Sequence, residues 1–332
     1  VPLLSISALF CYDRGMNFEK IEQAYELILE NSQLIENDLK THIYDALIEQ
    51  NSFYLGAEGA SPKVVENNKI LASLKLTKEE WRRAYQFVFI KASQTAPLQA
   101  NHQFTPDAIG FIILYILEAL VDKDSVELLE IGSGTGNLAQ TLLNNTTKSI
   151  DYLGLELDDL LIDLSASIAE VMDSGARFIQ EDAVRPQILK ESDVIVSDLP
   201  VGFYPNDTIA KRYQVASQTE HTYAHHLLME QSLKYLKTDG VAIFLVPVNL
   251  LTSPQSQLLK DWLKGYAQVA ALVTLPETVF GNPANAKSIM ILKKQTTKPI
   301  ETFVYPMTDL KSADVLRHFI ENFKNWIVDN AI

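Results

Sequence analysis

The stretch Leu128–Leu138, LLEIGSGTGNL, decides the fold of this 332-residue chain. The apolar run Val126 to Ile131 has the pattern of a buried strand. It breaks into Gly132, Ser133, Gly134, Thr135 and Gly136, and Asn137 then opens a helical segment. Strand, glycine turn and helix in that order make a ligand platform at the carboxyl edge of a parallel sheet. Glycine is needed there because the backbone takes positive φ and a ligand approaches the main chain more closely than a Cβ allows.

The kind of ligand follows from a departure in the pattern. Dinucleotide turns read G-x-G-x-x-G and seat a pyrophosphate on the helix N-terminus. Here the third glycine comes one residue early, and an acid, Glu130, precedes the first. An acid at that place suits an ammonium better than a phosphate. S-adenosylmethionine has an amino group, a carboxylate and a sulfonium, and no phosphate. Asp151 to Glu156, DYLGLE, reads as the second strand, and Glu156 sits at its tip about 20 residues past the turn, where an acid accepts from ribose hydroxyls. Arg177 to Gln180 is a short third strand leading into Glu181, Asp182 and Ala183. Asp182 can accept from an exocyclic adenine amine, with Leu157 and Ala183 on either side of the ring. Asp158 and Asp159 read as a charge pair at a helix N-terminus. One helix upstream of the glycine turn, Thr105 before Pro106 is expected to cap a helix Ile109 to Val121 and to offer its hydroxyl to the ligand's carboxylate.

Composition bounds the rest. With 47% hydrophobic and 21% charged residues the chain can bury one large core and a smaller one. A formal charge of −14 disfavours any function resting on broad phosphate neutralisation, though not a local basic groove. The first ten residues, VPLLSISALF, lack a basic flank and are too short to span a bilayer. The Gly15-Met16 junction reads as a start at Met16 preceded by an upstream extension, residues 1–15. The lone Cys11 fits a reducing cytoplasm. Asn17 to Leu29, Leu34 to Glu49 and Lys63 to Leu74 have helical spacing, and Thr77-x-x-Glu80 is a capping box before a fourth helix. Residues 16–98 are therefore expected to form a helical N-terminal domain, a cap or a partner-binding unit, ahead of a catalytic domain over 99–332.

Asp193 to Ser197 is the fourth strand, and it runs into Asp198-Leu199-Pro200-Val201-Gly202-Phe203-Tyr204. The series QFTP, EIGSGTG, GLE, EDA and SDLP, in that order, resembles the class I S-adenosylmethionine-dependent methyltransferases. Within them it is most similar to the N6-adenine DNA methylase superfamily, which includes the methylation subunits of type I restriction systems, and to its YtxK-like branch. The likeness runs from about Gln99 to Lys294. It implies an α/β, doubly wound, Rossmann-like sheet of seven strands, mostly parallel with the last antiparallel. It also implies a cofactor pocket made by Phe104, Thr105, Glu130, Gly132, Gly134, Thr135, Asn137, Glu156, Leu157, Asp182, Ala183 and Asp198.

In the family the fourth strand ends in Asn or Asp, Pro, Pro, aromatic: the first residue and a following carbonyl accept from the target amine, and the ring stacks on a flipped base. Asp198 matches the acceptor and Pro200 the second proline, its carbonyl taken as the second acceptor. Leu199 replaces the first proline and Val201 the aromatic, which removes a platform worth ~1 to 3 kcal/mol per base. Phe203 or Tyr204 is the candidate replacement. Lys211, Arg212 and Lys287 are candidate phosphate contacts, equally readable as surface charge.

His221, His225 and His226 are expected on a helix Glu220 to Leu236, as surface or cleft residues rather than metal ligands. Lys237 to Gly240 reads as a turn before a buried fifth strand, Gly240 to Pro247. Val269 to Leu275 and Ser288 to Lys293 read as the last two strands, with helices from Asp309 to Val328. The segment after the last strand is too short for a target-recognition module, so DNA sequence reading would fall to a partner subunit and duplex binding by this chain would be weak. The sequence thus predicts methyl transfer to an exocyclic amine. It leaves open a cofactor-binding regulatory or interaction protein that has lost base methylation, and a methyltransferase for a non-DNA amine.

Overall fold

The structure is a computed structural model that describes residues 15–98, 105–294 and 299–330; Phe104 and Cys11 fall outside them. Its sheet has eight strands: β1 (Ser125–Ile131), β2 (Ser149–Glu156), β3 (Arg177–Gln180), β4 (Ser192–Asp198), β5 (Leu236–Pro247), β6 (Ala267–Thr274), β7 (Lys287–Lys294) and β8 (Phe303–Pro306). Their spatial order is β3-β2-β1-β4-β5-β7-β6-β8. Strands β1 to β5 run parallel, β7 is antiparallel to both β5 and β6, and β8 is parallel to β6.

Side-chain alternation explains why helices must cover both faces. Val126, Leu128, Val194 and Val196 enter one buried layer, while Leu129, Ile131 and Ile195 enter the other. The described helices are α1 (Phe18–Leu39), α2 (Ile43–Tyr54), α3 (Pro62–Ser73), α4 (Lys78–Ala92), α5 (Asp107–Leu120), α6 (Asn137–Asn145), α7 (Asp159–Val171), the single turn α8 (Asp207–Ala210), α9 (Ala224–Lys234), α10 (Ser256–Tyr266) and α11 (Ala313–Asn330). Helices α5, α6 and α11 cover the first face, and α9 and α10 the second. In the N-terminal segment, Ile21, Tyr44 and Trp81 share a third core with Leu161, Leu164 and Ile168 of α7. Buried Arg82 of α4 pairs with Glu79 at 2.6 Å and Asp107 at 2.9 Å, and donates to Asn137 Oδ1 at 3.1 Å. The N-terminal helices thereby brace the start of α6, the helix that leaves the glycine turn.

Several boundaries differ from the sequence reading. The expected helix Leu34 to Glu49 is split, because Lys40 takes a left-handed conformation (φ 52°) and ends α1, and His42 then caps α2. The Lys237–Gly240 turn lies inside β5, at a register shift opposite Ser192 and Val194. A Cβ on Gly240 would come within 2.9 Å of the Asp193 carbonyl, so the strand tolerates this irregularity only with glycine. The helix read from Glu220 starts at Ala224, since Gln255 engages the preceding backbone: it accepts from the Tyr223 N–H and donates to the His221 carbonyl.

The sheet has eight strands, not seven. The four residues of β8 are too few for a period to show, and they are fixed from outside by α11, where Phe303 meets Phe323 at 5.2 Å and Tyr305 meets Phe319 at 5.3 Å, edge to face. The helices expected from Asp309 to Val328 are the single helix α11.

Gly154 in β2 supports the glycine turn from below. A Cβ there would lie 2.8 Å from Ser133 Cβ, Phe178 Cδ1 and Tyr152 Oη. Gly154→Ala is therefore expected to destabilise the chain by ~1–3 kcal/mol through overpacking, read as a lower urea midpoint at unchanged slope. An unchanged midpoint would mean that the turn can move away without cost.

Candidate functional site

A cavity of about 880 Å³ opens at the carboxyl ends of β1 to β4. Its floor is the glycine turn. Gly132, Gly134 and Gly136 have φ of 69°, 54° and 78°, and a Cβ on Gly132 or Gly134 would meet nothing within 4 Å. The main chain is thus bare towards the cavity, which is what a closely held ligand needs. The N–H groups of Gly132 and Ser133 both donate to the Leu155 carbonyl, at 2.8 and 3.0 Å, tying the turn to β2. Thr135 and Asn137 line the cavity beside it.

Acids stand at the tips of neighbouring strands. Glu130 is fully buried and accepts from the Tyr152 hydroxyl at 2.6 Å. Burial pushes its carboxyl up to about 8; the Tyr152 hydrogen bond opposes the shift, and the charges of Asp198 and Glu156 add to it. Glu156 Oε2 accepts from the Gly134 N–H at 2.8 Å, while Oε1 accepts from the N–H groups of Leu157 at 2.7 Å and Asp158 at 3.0 Å. Its carboxylate thus shapes the turn as well as facing the cavity. Asp158 caps α7 by accepting from Leu161 N. Leu157 and Ala183 both line the cavity. Asp182 accepts from the Val184 N–H at 3.0 Å and from the Tyr204 hydroxyl at 2.6 Å.

Asp198, on the same sheet face as Glu130, is held on both oxygens. The Thr105 hydroxyl donates to Oδ2 at 2.8 Å, and the Lys287 ammonium is ion-paired with Oδ1. The same Lys287 Nζ donates to the Leu199 carbonyl at 3.2 Å. Thr105 does not cap α5: Pro106 occupies the cap position and no side chain caps the helix. Its hydroxyl proton is committed to Asp198. The carbonyl that shares a donor with Asp198 is that of Leu199, one residue before Pro200, which itself lines the cavity. The Leu199 side chain turns away into the second core layer.

The two candidate rings go different ways. Tyr204 is buried with its hydroxyl on Asp182, and burial followed by the Asp182 contact raises that phenol to about 12. Phe203 is exposed, outside the cavity wall, and stacks on Tyr223 with centroids 4.7 Å apart. Val201 lines the cavity and is 53% exposed. Lys211 and Arg212 are exposed and away from the cavity, whereas Lys287 lines it.

His225 and His226 are buried on α9, and burial lowers them to about 3 and 4, so both are neutral near pH 7. His221 is outside the helix with Nδ1 2.9 Å from Asp207 Oδ1. Among the described residues no group of three or more His, Cys, Asp or Glu could hold a metal ion, and no helix is long and apolar enough to cross a membrane. The pairing of Lys287 with Asp198 and the cavity wall from Ala284 to Ala286 escaped the sequence reading. The loop LPETVFGNPANAK, which resembles the family's loop before its closing antiparallel strand, brings Ala284 to Ala286 to the cavity wall just ahead of β7.

The family model described as N-6 DNA methylase matches residues 76–321. The chain is 31% identical over 275 residues to the uncharacterized protein YtxK of Bacillus subtilis, covering 80% of this chain and 83% of that one. A Listeria monocytogenes structure described as a class I S-adenosylmethionine-dependent methyltransferase superposes with a TM-score of 0.83 at 28% identity, over 93% of this chain and 99% of that chain. The type I restriction-modification methyltransferase subunit from Streptococcus thermophilus shares the fold, with a TM-score of 0.66 at 14% identity, over 91% of this chain and 74% of that one. With the family model spanning most of its length and a glycine turn flanked by strand-tip acids at its centre, the chain belongs to the N-6 DNA methylase family and is a methyltransferase.

Proposed function

We propose that this methyltransferase holds S-adenosylmethionine in the cavity at the strand ends and methylates an exocyclic amine of the adenine-N6 kind presented at Asp198. The observation that carries the reading is the convergence of Glu130, Glu156, Asp182 and Asp198, at or just past the ends of four adjacent strands, on one cavity with a bare glycine turn. Glu130 and the Gly132 carbonyl would take the amino group, Glu156 the ribose hydroxyls, and Asp182 the adenine amine between Leu157 and Ala183. The cofactor supplies an electrophilic methyl group on a sulfonium. Asp198 and the Leu199 carbonyl accept the target amine's N–H groups, which turns the nitrogen lone pair towards the cavity, and Thr105 fixes the carboxylate for that task. No metal is needed.

Val201, in place of a stacking ring, favours a second reading in which the acceptor is a non-DNA amine or base methylation has been lost. With a net charge of −14, and with Lys211 and Arg212 away from the cavity, duplex binding by the chain alone is expected to be weak. A partner subunit would supply sequence recognition. The helices of residues 16–98, packed against α6 and α7, would serve such contacts, and the lone cysteine suits a cytoplasmic setting.

The test is calorimetric titration with S-adenosylmethionine across pH. Burial raises the Glu130 carboxyl to about 8, and an ammonium beside it favours the ionised form, so binding near neutral pH should release protons, up to one per site. Affinity should then rise with pH, by up to about tenfold per unit, as Glu130 ionises towards about pH 8. Glu130→Gln should flatten that profile. Absence of binding at any pH would sink the cofactor reading, and a flat wild-type profile would remove Glu130 from it.

A further inference from the structure

We propose that Lys287 is a resident occupant of the acceptor-amine subsite, an ammonium of the chain itself that an incoming primary amine must displace. The inference rests on the reading of Asp198 as the amine acceptor and adds what regulates access to it. Two acceptors at the cavity edge, Asp198 Oδ1 and the Leu199 carbonyl, are joined by one nitrogen, Lys287 Nζ. Asp198 Oδ2 is already taken by Thr105, so Oδ1 is the oxygen left for a ligand. A nitrogen that reaches both acceptors needs two N–H donors in the place Nζ now fills. That place therefore suits an amine, and it is occupied.

The surroundings keep the occupant there. Lys287 and Asp198 are each less than one-fifth exposed, so the pair is poorly screened by solvent. Among the described residues lining the cavity, Lys287 is the one Lys or Arg, against seven Asp and Glu. It opens β7 directly after the wall segment Ala284 to Ala286, so its stem starts from the cavity rim. Val201, in the cavity lining, offers no ring on which an acceptor could gain affinity by stacking. An acceptor must then compete for Asp198 by its amine, and Lys287 sets the threshold for that competition.

The experiment compares three ligands on wild type and Lys287→Ala by calorimetry. At the sulfur position S-adenosylhomocysteine carries no charge, S-adenosylmethionine carries a sulfonium, which has no N–H, and sinefungin carries a primary amine on the carbon that replaces the sulfonium. Removing a cation from the cavity would favour both charged ligands equally if Lys287 acted only through its charge. If it fills the amine subsite, sinefungin should gain about tenfold in affinity while S-adenosylmethionine gains distinctly less, because only sinefungin can donate to the vacated acceptors. Retained S-adenosylhomocysteine affinity shows that the variant is folded, and Lys287→Met, which keeps most of the stem, should give the same order of gains. Equal gains for the two cations, or none, overturn the proposal. A wild type that binds none of the three overturns the cofactor reading itself, and the proposal with it.

Discussion

Glu156→Ala should weaken S-adenosylmethionine binding by ~10- to 150-fold, the equivalent of ~1.5–3 kcal/mol for hydrogen bonds to a charged acceptor. Two effects add. The carboxylate is the acceptor for the ribose hydroxyls in the proposed pose. It also holds the platform, through the Gly134 N–H on Oε2 and the Leu157 and Asp158 N–H groups on Oε1. Without it the turn keeps its ties to the Leu155 carbonyl but loses the one that fixes Gly134. Glu156→Gln retains one acceptor oxygen and should fall between wild type and alanine. Calorimetry decides the matter, with thermal melting to show that the variants are folded; alanine binding as tightly as wild type would remove Glu156 from the site.

Asp198→Ala should lower methyl transfer by ~10²- to 10³-fold, a loss typical of removing one preorganised group aimed at developing charge. The nitrogen becomes positive as it takes the methyl group, and the Asp198 carboxylate, less than one-fifth exposed, is a fixed counter-charge at the cavity edge. The readout is S-adenosylhomocysteine release with adenine-containing DNA as acceptor, and cofactor affinity should change far less than turnover. The variant also leaves the Lys287 ammonium, 18% exposed, without its partner, so some loss of stability accompanies the loss of rate. Turnover within a few-fold of wild type would exclude Asp198 from the chemistry. A wild type active only on a non-DNA amine would move the acceptor, not the residue.

What could be read from the sequence is what depends on neighbours in the chain. The strand, turn and helix from Ser125 to Asn145 and the capping box at Thr77 follow from an apolar run of strand length, from glycine's access to positive φ and from side chains that satisfy backbone groups three residues away. The end of a buried apolar run marks the edge of the sheet, which is why Glu130, Glu156, Asp182 and Asp198 were legible at or just past strand ends, while the doubly wound sheet was what the family resemblance implied. The break at Lys40 and the irregularity at Gly240 are decided by packing rather than propensity, and β8 forms only because α11 covers it.

The acceptor end of the site belongs to tertiary structure alone. Thr105 lies 93 residues before Asp198 and Lys287 lies 89 after it, and neither has a local pattern that announces the contact. Thr105 read locally as a helix cap; folded, it spends its hydroxyl on a carboxylate, since Pro106 takes the cap position. Lys287 read equally as a phosphate contact or as surface charge; folded, it is drawn inward to pair with Asp198, because a carboxylate buried at the cavity edge demands a counter-charge. The sequence by itself determined where the acids stand. Only the fold decided which of them are free and which are already held, because ion pairing depends on chain segments brought together across the sheet.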